Sequence, residues 1–136
     1  MQVFENTIIK KFWPADDKGP DKEMIRQVYI QCEAELDNNR QVSELFDGMV
    51  KGLIKITFEE PETGNLLILP GVTVKPFNIK QKNIKLNKGD EEDIVRTEFA
   101  ALTLVSRMED DQVLQELLQL FNVNVKMTID DFSVRY

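Results

Sequence analysis

Histidine, the commonest general base and the commonest metal ligand, is absent from the chain. Ser–His–Asp and Cys–His nucleophilic chemistry are therefore excluded, and so is zinc held by Cys/His sets. Cys32 is the one cysteine. It falls on an apolar stripe, which predicts a small buried side chain and no nucleophile. No GxxxxGK[ST] or GxGxxG run cradles a phosphate; the six glycines are scattered. These readings predict no cofactor, and they weigh against an enzyme without excluding one.

Carboxylates keep one chemistry open, because Mg²⁺ needs only oxygen ligands. "GDEED" at 89–93 and "EDD" at 109–111 are accounted for as helix starts, where acids meet the positive end of the dipole. Asp130 and Asp131 close a strand-like run, a place where a metal-dependent nuclease or phosphodiesterase could hold its ion. They are the weak metal candidates.

The strongest local feature is basic. Residues 75–88, "KPFNIKQKNIKLNK", hold Lys75, Lys80, Lys82, Lys85 and Lys88 and no acid. The whole chain carries −7; the residues outside this stretch, with twelve basic and twenty-four acidic side chains, carry −12. An acidic body repels nucleic acid and membrane phosphate. The lysines, with Phe77 available for stacking, reverse that locally and suit a phosphate backbone. Two other readings compete: lysines guarding a sheet edge, and a basic arm meeting an acidic cluster of a neighbouring subunit.

The elements that position these residues follow from periodicity. "MQVFENTIIKKFW" predicts a strand ending at Pro14, with Trp13 as a core or rim anchor. Met24, Ile25, Val28, Tyr29, Cys32 and Leu36 recur at three- and four-residue steps and predict a helix over about 21–37. Val42, Leu45, Phe46, Met49 and Val50 predict a second helix. Ile54, Ile56 and Phe58 then alternate with Lys55, Thr57 and Glu59, the pattern of a strand with one dry face. "EPETGN" is a turn, with Gly64 and Asn65 suited to positive φ. "LLIL" and "VTVKPFNIK" are extended, and Pro76 marks an edge or bulge. "QKNIKLNKG" reads as the far arm of a hairpin or a loop. Ile94, Val95, Phe99, Ala101, Leu102, Val105 and Met108 predict a third helix over about 90–108, and Val113 to Phe121 a fourth. Val123, Val125, Met127 and Ile129 close the chain as a strand.

"IKITFEE" at 54–60 and "VKMTIDD" at 125–131 repeat nearly the same letters, and "MIRQVY" at 24–29 lies over "IVRTEF" at 94–99. Repetition fixes architecture early. It predicts one domain over 1–136 with an internal repeat of 1–60 and 66–132. The expected fold is α+β: two similar strand-helix-helix-strand halves forming one antiparallel or mixed sheet with helices on one face. The other face would show Lys55, Thr57, Glu59, Lys126, Thr128 and Asp130, a wet surface or a binding face.

No apolar run approaches the ~18 residues of a membrane span, and the first residues lack a secretion signal. With one cysteine, this predicts a reducing, cytoplasmic location. The leading functional expectation is a non-catalytic interaction or assembly protein, with an inhibitor or regulator of a partner protein among its forms, that also self-associates as a homo-oligomer. A single-stranded nucleic-acid-binding protein using 75–88 is the alternative from another class.

Overall fold

In the computed structural model the described residues are mostly antiparallel β-sheet with one helix of any length among them, and this overturns the expected α+β layering. The structure describes residues 2–18, 24–36, 41, 43, 54–88, 91–108 and 110–131, with backbone alone at 2, 17–18, 82–88, 91–96 and 131. The elements are β1 (Gln2–Lys18), β2 (Met24–Leu36), β3 (Ile54–Glu59), β4 (Leu66–Val74), β5 (Asn78–Lys88), β6 (Glu91–Arg107), α1 (Gln112–Leu120) and β7 (Asn124–Asp131). The second expected helix lies outside the described residues, apart from helical Gln41 and Ser43.

The two misread segments are the first and third expected helices; they are β2 and β6. The reason is visible inside each. On β2, Val28, Ile30, Cys32 and Ala34 are all buried, a strict two-residue period. A helical stripe through Cys32 leaves Ile30 on the polar side, so that stripe could not bury it. On β6, Ala100, Leu102, Leu104 and Ser106 alternate inward in the same way, and the helical stripe omitted Leu104. Small inward residues such as Ala34, Ala100 and Ser106 hid the alternation. The acids at 91–93 lie in a strand and cap no helix.

Six strands close on themselves. β1 pairs with β2 and β7, β7 with β3, β3 with β4, β4 with β6, and β6 with β2, all antiparallel. Closure leaves no edge within the ring. The interior is filled by Phe4, Ile9, Ile30, Ile56, Phe58, Leu102, Leu104 and Met127 with their neighbours. α1 adds Leu117 and Leu120 to the same core, while Leu118 stays exposed. β1 runs on through Pro14 to Lys18. Pro14 is tolerated because β1 beyond Ile9 is bonded to β2 alone among the described residues. No helix among the described residues is long and apolar enough to cross a membrane.

The ladders show why "IKITFEE" and "VKMTIDD" look alike: β3 and β7 lie side by side, with Thr57 directly opposite Thr128. The correspondence is general. Stepping from Phe4 to Leu69 along β1, from Ile30 to Leu102 along β2, and from Ile56 to Met127 along β3 carries each barrel ladder onto another. Phe4↔Met127 becomes Leu69↔Ile56, and Thr7↔Val125 becomes Val72↔Ile54. Ile9↔Cys32 becomes Val74↔Leu104. The irregularity after Phe4 recurs after Leu69, and the slip at Lys10 recurs as the break at 75–77 between β4 and β5. Two pairs map onto themselves, Thr57↔Thr128 and Gln31↔Thr103. The pattern is an approximate twofold, with these pairs on opposite walls of the barrel.

Candidate interaction surfaces

The first surface is the outer face of β4, β3, β7 and β1. Alternation sends Ile54, Ile56 and Phe58 inward, so Lys55, Thr57 and Glu59 must point out, and Lys126, Thr128 and Asp130 do the same on β7. All six are half-buried. Register sets Ile68, Thr57, Thr128 and Val3 in one row across four strands. It also sets Lys55 opposite Asp130 and Lys126 opposite Glu59. Directly opposed unlike charges stabilise a sheet by about 0.2–1 kcal/mol, and here the register sets unlike charges beside each other without an ion pair within 4.0 Å. The sequence-derived set Lys55, Thr57, Lys126 and Thr128 is thus brought together on a face whose charges cancel. Ile68 and Leu66 extend it as exposed apolar positions, each 49% accessible.

Asp130 and Asp131 lie opposite Lys55 and Ile54. A cation beside Asp130 would have to share it with Lys55. Among the described residues no group of three or more His, Cys, Asp or Glu side chains is placed to hold a metal ion.

The second surface is the ribbon of β5 and β6. β5 is bonded to β6 along its whole length, from Asn78↔Ala101 to Lys88↔Glu91, and no described strand bonds its other edge. The lysines of the basic stretch divide. Lys75 and Phe77 sit in the link before β5, where Phe77 packs against the core and is therefore not a free stacking platform. Lys80, Lys82, Lys85 and Lys88 follow along β5, and Lys80 is exposed. The sequence missed what lies next to them. β6 contributes Glu91, Glu92, Asp93 and Glu98 to the adjoining strand, with Lys88 opposite Glu91 and Gln81 bonded through its amide to Glu98 at 3.3 Å. By sequence and register, four lysines and Arg96 therefore share a ribbon with four acids.

The third surface lies on the wall where Gln31 faces Thr103. Here the slip at Lys10 and the break at 75–77 open a cleft of about 330 Å³ lined by Lys10, Gln31, Glu33, Asn78, Lys80 and Thr103. Lys10 Nζ stands 3.8 Å from Glu33, a long ion pair. Lys11 occupies the position opposite Gln31, and the Lys75 amide donates to the Thr103 carbonyl at 2.9 Å. Next to this row Trp13 stacks on Tyr29, ring centroids 5.4 Å apart, and the Lys11 ammonium lies 5.3 Å from the Trp13 ring. Trp13 is half-buried on the rim, outside the core cluster. Lys10, Lys11, Gln31 and Thr103 were not legible as site residues. A "KK" pair inside a strand carries no signal until its register with β2 is known.

Two further clefts are related by the approximate twofold. One of about 720 Å³ lies between the start of β4 and the end of β6, lined by Ile68, Pro70, Gly71, Val105, Arg107 and Val113. Its counterpart of about 250 Å³ is lined by Asn6, Ile8, Glu33, Glu35 and Phe99. Both open where an irregular ladder splays neighbouring strands. Cys32 sits in the barrel wall at 2% exposure. Burial, helped by the neighbouring Glu33 charge, pushes its thiol up to about 12. It holds its proton and is no nucleophile.

No protein-family description, curated protein or solved structure matches this chain.

Proposed function

We propose that the protein is a non-catalytic interaction protein that captures an extended, acidic segment of a partner protein along β5. The observation that carries this reading is the edge itself: an eleven-residue strand that, among the described residues, is bonded on one side only, attached to a barrel whose other strands close on themselves. A free edge binds by strand addition, where backbone bonds supply affinity and alternate side chains supply specificity. Every charged residue on β5 is a lysine, which selects an acidic strand. Pairing with β5 of a second copy would oppose lysine to lysine, so the same charge works against self-association through this edge.

The test uses a synthetic extended peptide alternating Glu and Val. Calorimetry at low ionic strength should show binding, and hydrogen exchange should show new protection of β5 amides within 78–88. Lys82→Glu with Lys85→Glu should abolish both signals. Binding that leaves β5 exchange unchanged, or that survives the double substitution, would refute strand addition at this edge. The nucleic-acid alternative predicts instead that an oligonucleotide competes for the same lysines.

A further inference from the structure

We infer that the cleft between Gln31 and Thr103 is a binding site for a small phosphate-bearing ligand, independent of strand addition on β5. Lys10 and Lys80 stand on opposite sides of it, contributed by β1 and β5. Lys11 and Lys75 flank it at the positions opposite Gln31 and Thr103. Between them Gln31, Asn78 and Thr103 present amide and hydroxyl groups, which donate to phosphate oxygens without competing charge. Lysine serves phosphate as a point charge and needs no fork geometry. A volume of about 330 Å³ lies at the small end of ligand sites, so the fit is to a di- or triphosphate group and not to a large apolar body.

Glu33 is the one acid lining the cleft, and it faces Lys10 across 3.8 Å. At that distance an exposed pair is weak, and Lys10 is free to turn to a stronger anion. Glu35 lies one outward position farther along β2, in the neighbouring cleft. The site exists only because β1 slips at Lys10 and the chain breaks at 75–77. A regular ladder at both places would carry Lys10 and Asn78 past the Gln31–Thr103 pair.

Inorganic tripolyphosphate is the probe, followed by calorimetry at low ionic strength. Saturable binding is expected. Lys10→Gln with Lys80→Gln should raise Kd at least about tenfold, a change of about 1.4 kcal/mol. Lys85→Gln with Lys88→Gln should change it by less than about twofold, and Glu33→Gln should lower it, because the competing carboxylate is gone. Each variant's circular dichroism and melting temperature should match the parent's, since the lysines to be changed first are exposed. A second arm replaces tripolyphosphate with a short single-stranded oligonucleotide. Tighter binding that still depends on Lys10 and Lys80 keeps the site and assigns its phosphate to a nucleic acid. No saturable binding of either probe, or equal loss from the two lysine pairs, overturns the inference; neither result touches the Glu/Val peptide test of β5.

Discussion

Cys32 shows what a single side chain contributes when its surroundings are fixed by alternation. It is buried in the barrel wall, and burial together with the Glu33 charge pushes its thiol up to about 12 from 9.0. The unfolded chain loses this proton near pH 9 while the folded chain keeps it, so the unfolded state binds fewer protons above pH 9. Stability is therefore fully present below pH 9 and falls as pH rises from 9 toward 12. Urea denaturation across this range should show that fall, and Cys32→Ala should remove the part due to the thiol. Identical slopes for parent and variant would contradict a buried, neutral thiol. The sequence already placed Cys32 inside the protein, on an assumed helical stripe. The burial was legible because it depends on apolar neighbours in any backbone geometry; the strand that achieves it was not.

At the scale of elements, the short turns were legible and the long segments were not. "EPETGN" forms the expected turn, closed by the Gly64 amide donating to the Glu60 carbonyl at 2.8 Å and by Glu60 N–H donating to Asn65 at 3.0 Å. Gly64 carries the positive φ, +75°, and an added Cβ would meet nothing within 4 Å. Gly64→Ala therefore costs torsional strain alone, about 1–2 kcal/mol by the left-handed penalty, measurable as a shift in urea midpoint at unchanged slope; a loss outside that range would mean the turn is held by something besides its backbone. Local chemistry decides such a turn, so six residues suffice to read it. β2 and β6 are decided elsewhere. Ile30 and Leu104 become inward residues only because each strand has neighbours on both sides, and the β2–β6 pairing that joins them, Ile30 opposite Leu104, brings together residues more than seventy positions apart. A three-and-four spacing and a two spacing coexist in "MIRQVYIQCEAEL", and only the partner strands choose between them. The candidate cleft was hidden for the same reason: Lys10 and Lys80 are seventy positions apart in the chain.

At the scale of the molecule, the resemblance of "IKITFEE" to "VKMTIDD" has a structural counterpart in the twofold pattern of the ladders. We propose that 1–60 and 66–132 are copies of one unit, each with strands in the order hairpin, then a strand that crosses to the other copy. The ladder correspondence supports this, and it makes equivalent segments exchangeable. Writing the β7 residues into β3, as Ile54→Val, Ile56→Met, Phe58→Ile and Glu59→Asp, keeps every inward position apolar and near its original volume. The four changes together should cost about 2–4 kcal/mol and leave a single cooperative unfolding transition with the parent's far-ultraviolet dichroism. Loss of cooperativity would show that the two strands occupy unlike environments and would count against the copies.

The crossing has a consequence for synthesis. β3 takes both ladder partners, β4 and β7, from the later part of the chain, and β7 takes both of its own, β1 and β3, from the earlier part. At a translation rate of about 5–20 residues per second, the free flank of β1 at Ile8 waits roughly 6–25 s for residue 124 to emerge from the ribosome. From their own emergence until then Phe4, Ile56 and Phe58 have no complete interior to enter, so the newborn chain spends its most adhesive seconds needing either speed or an escort.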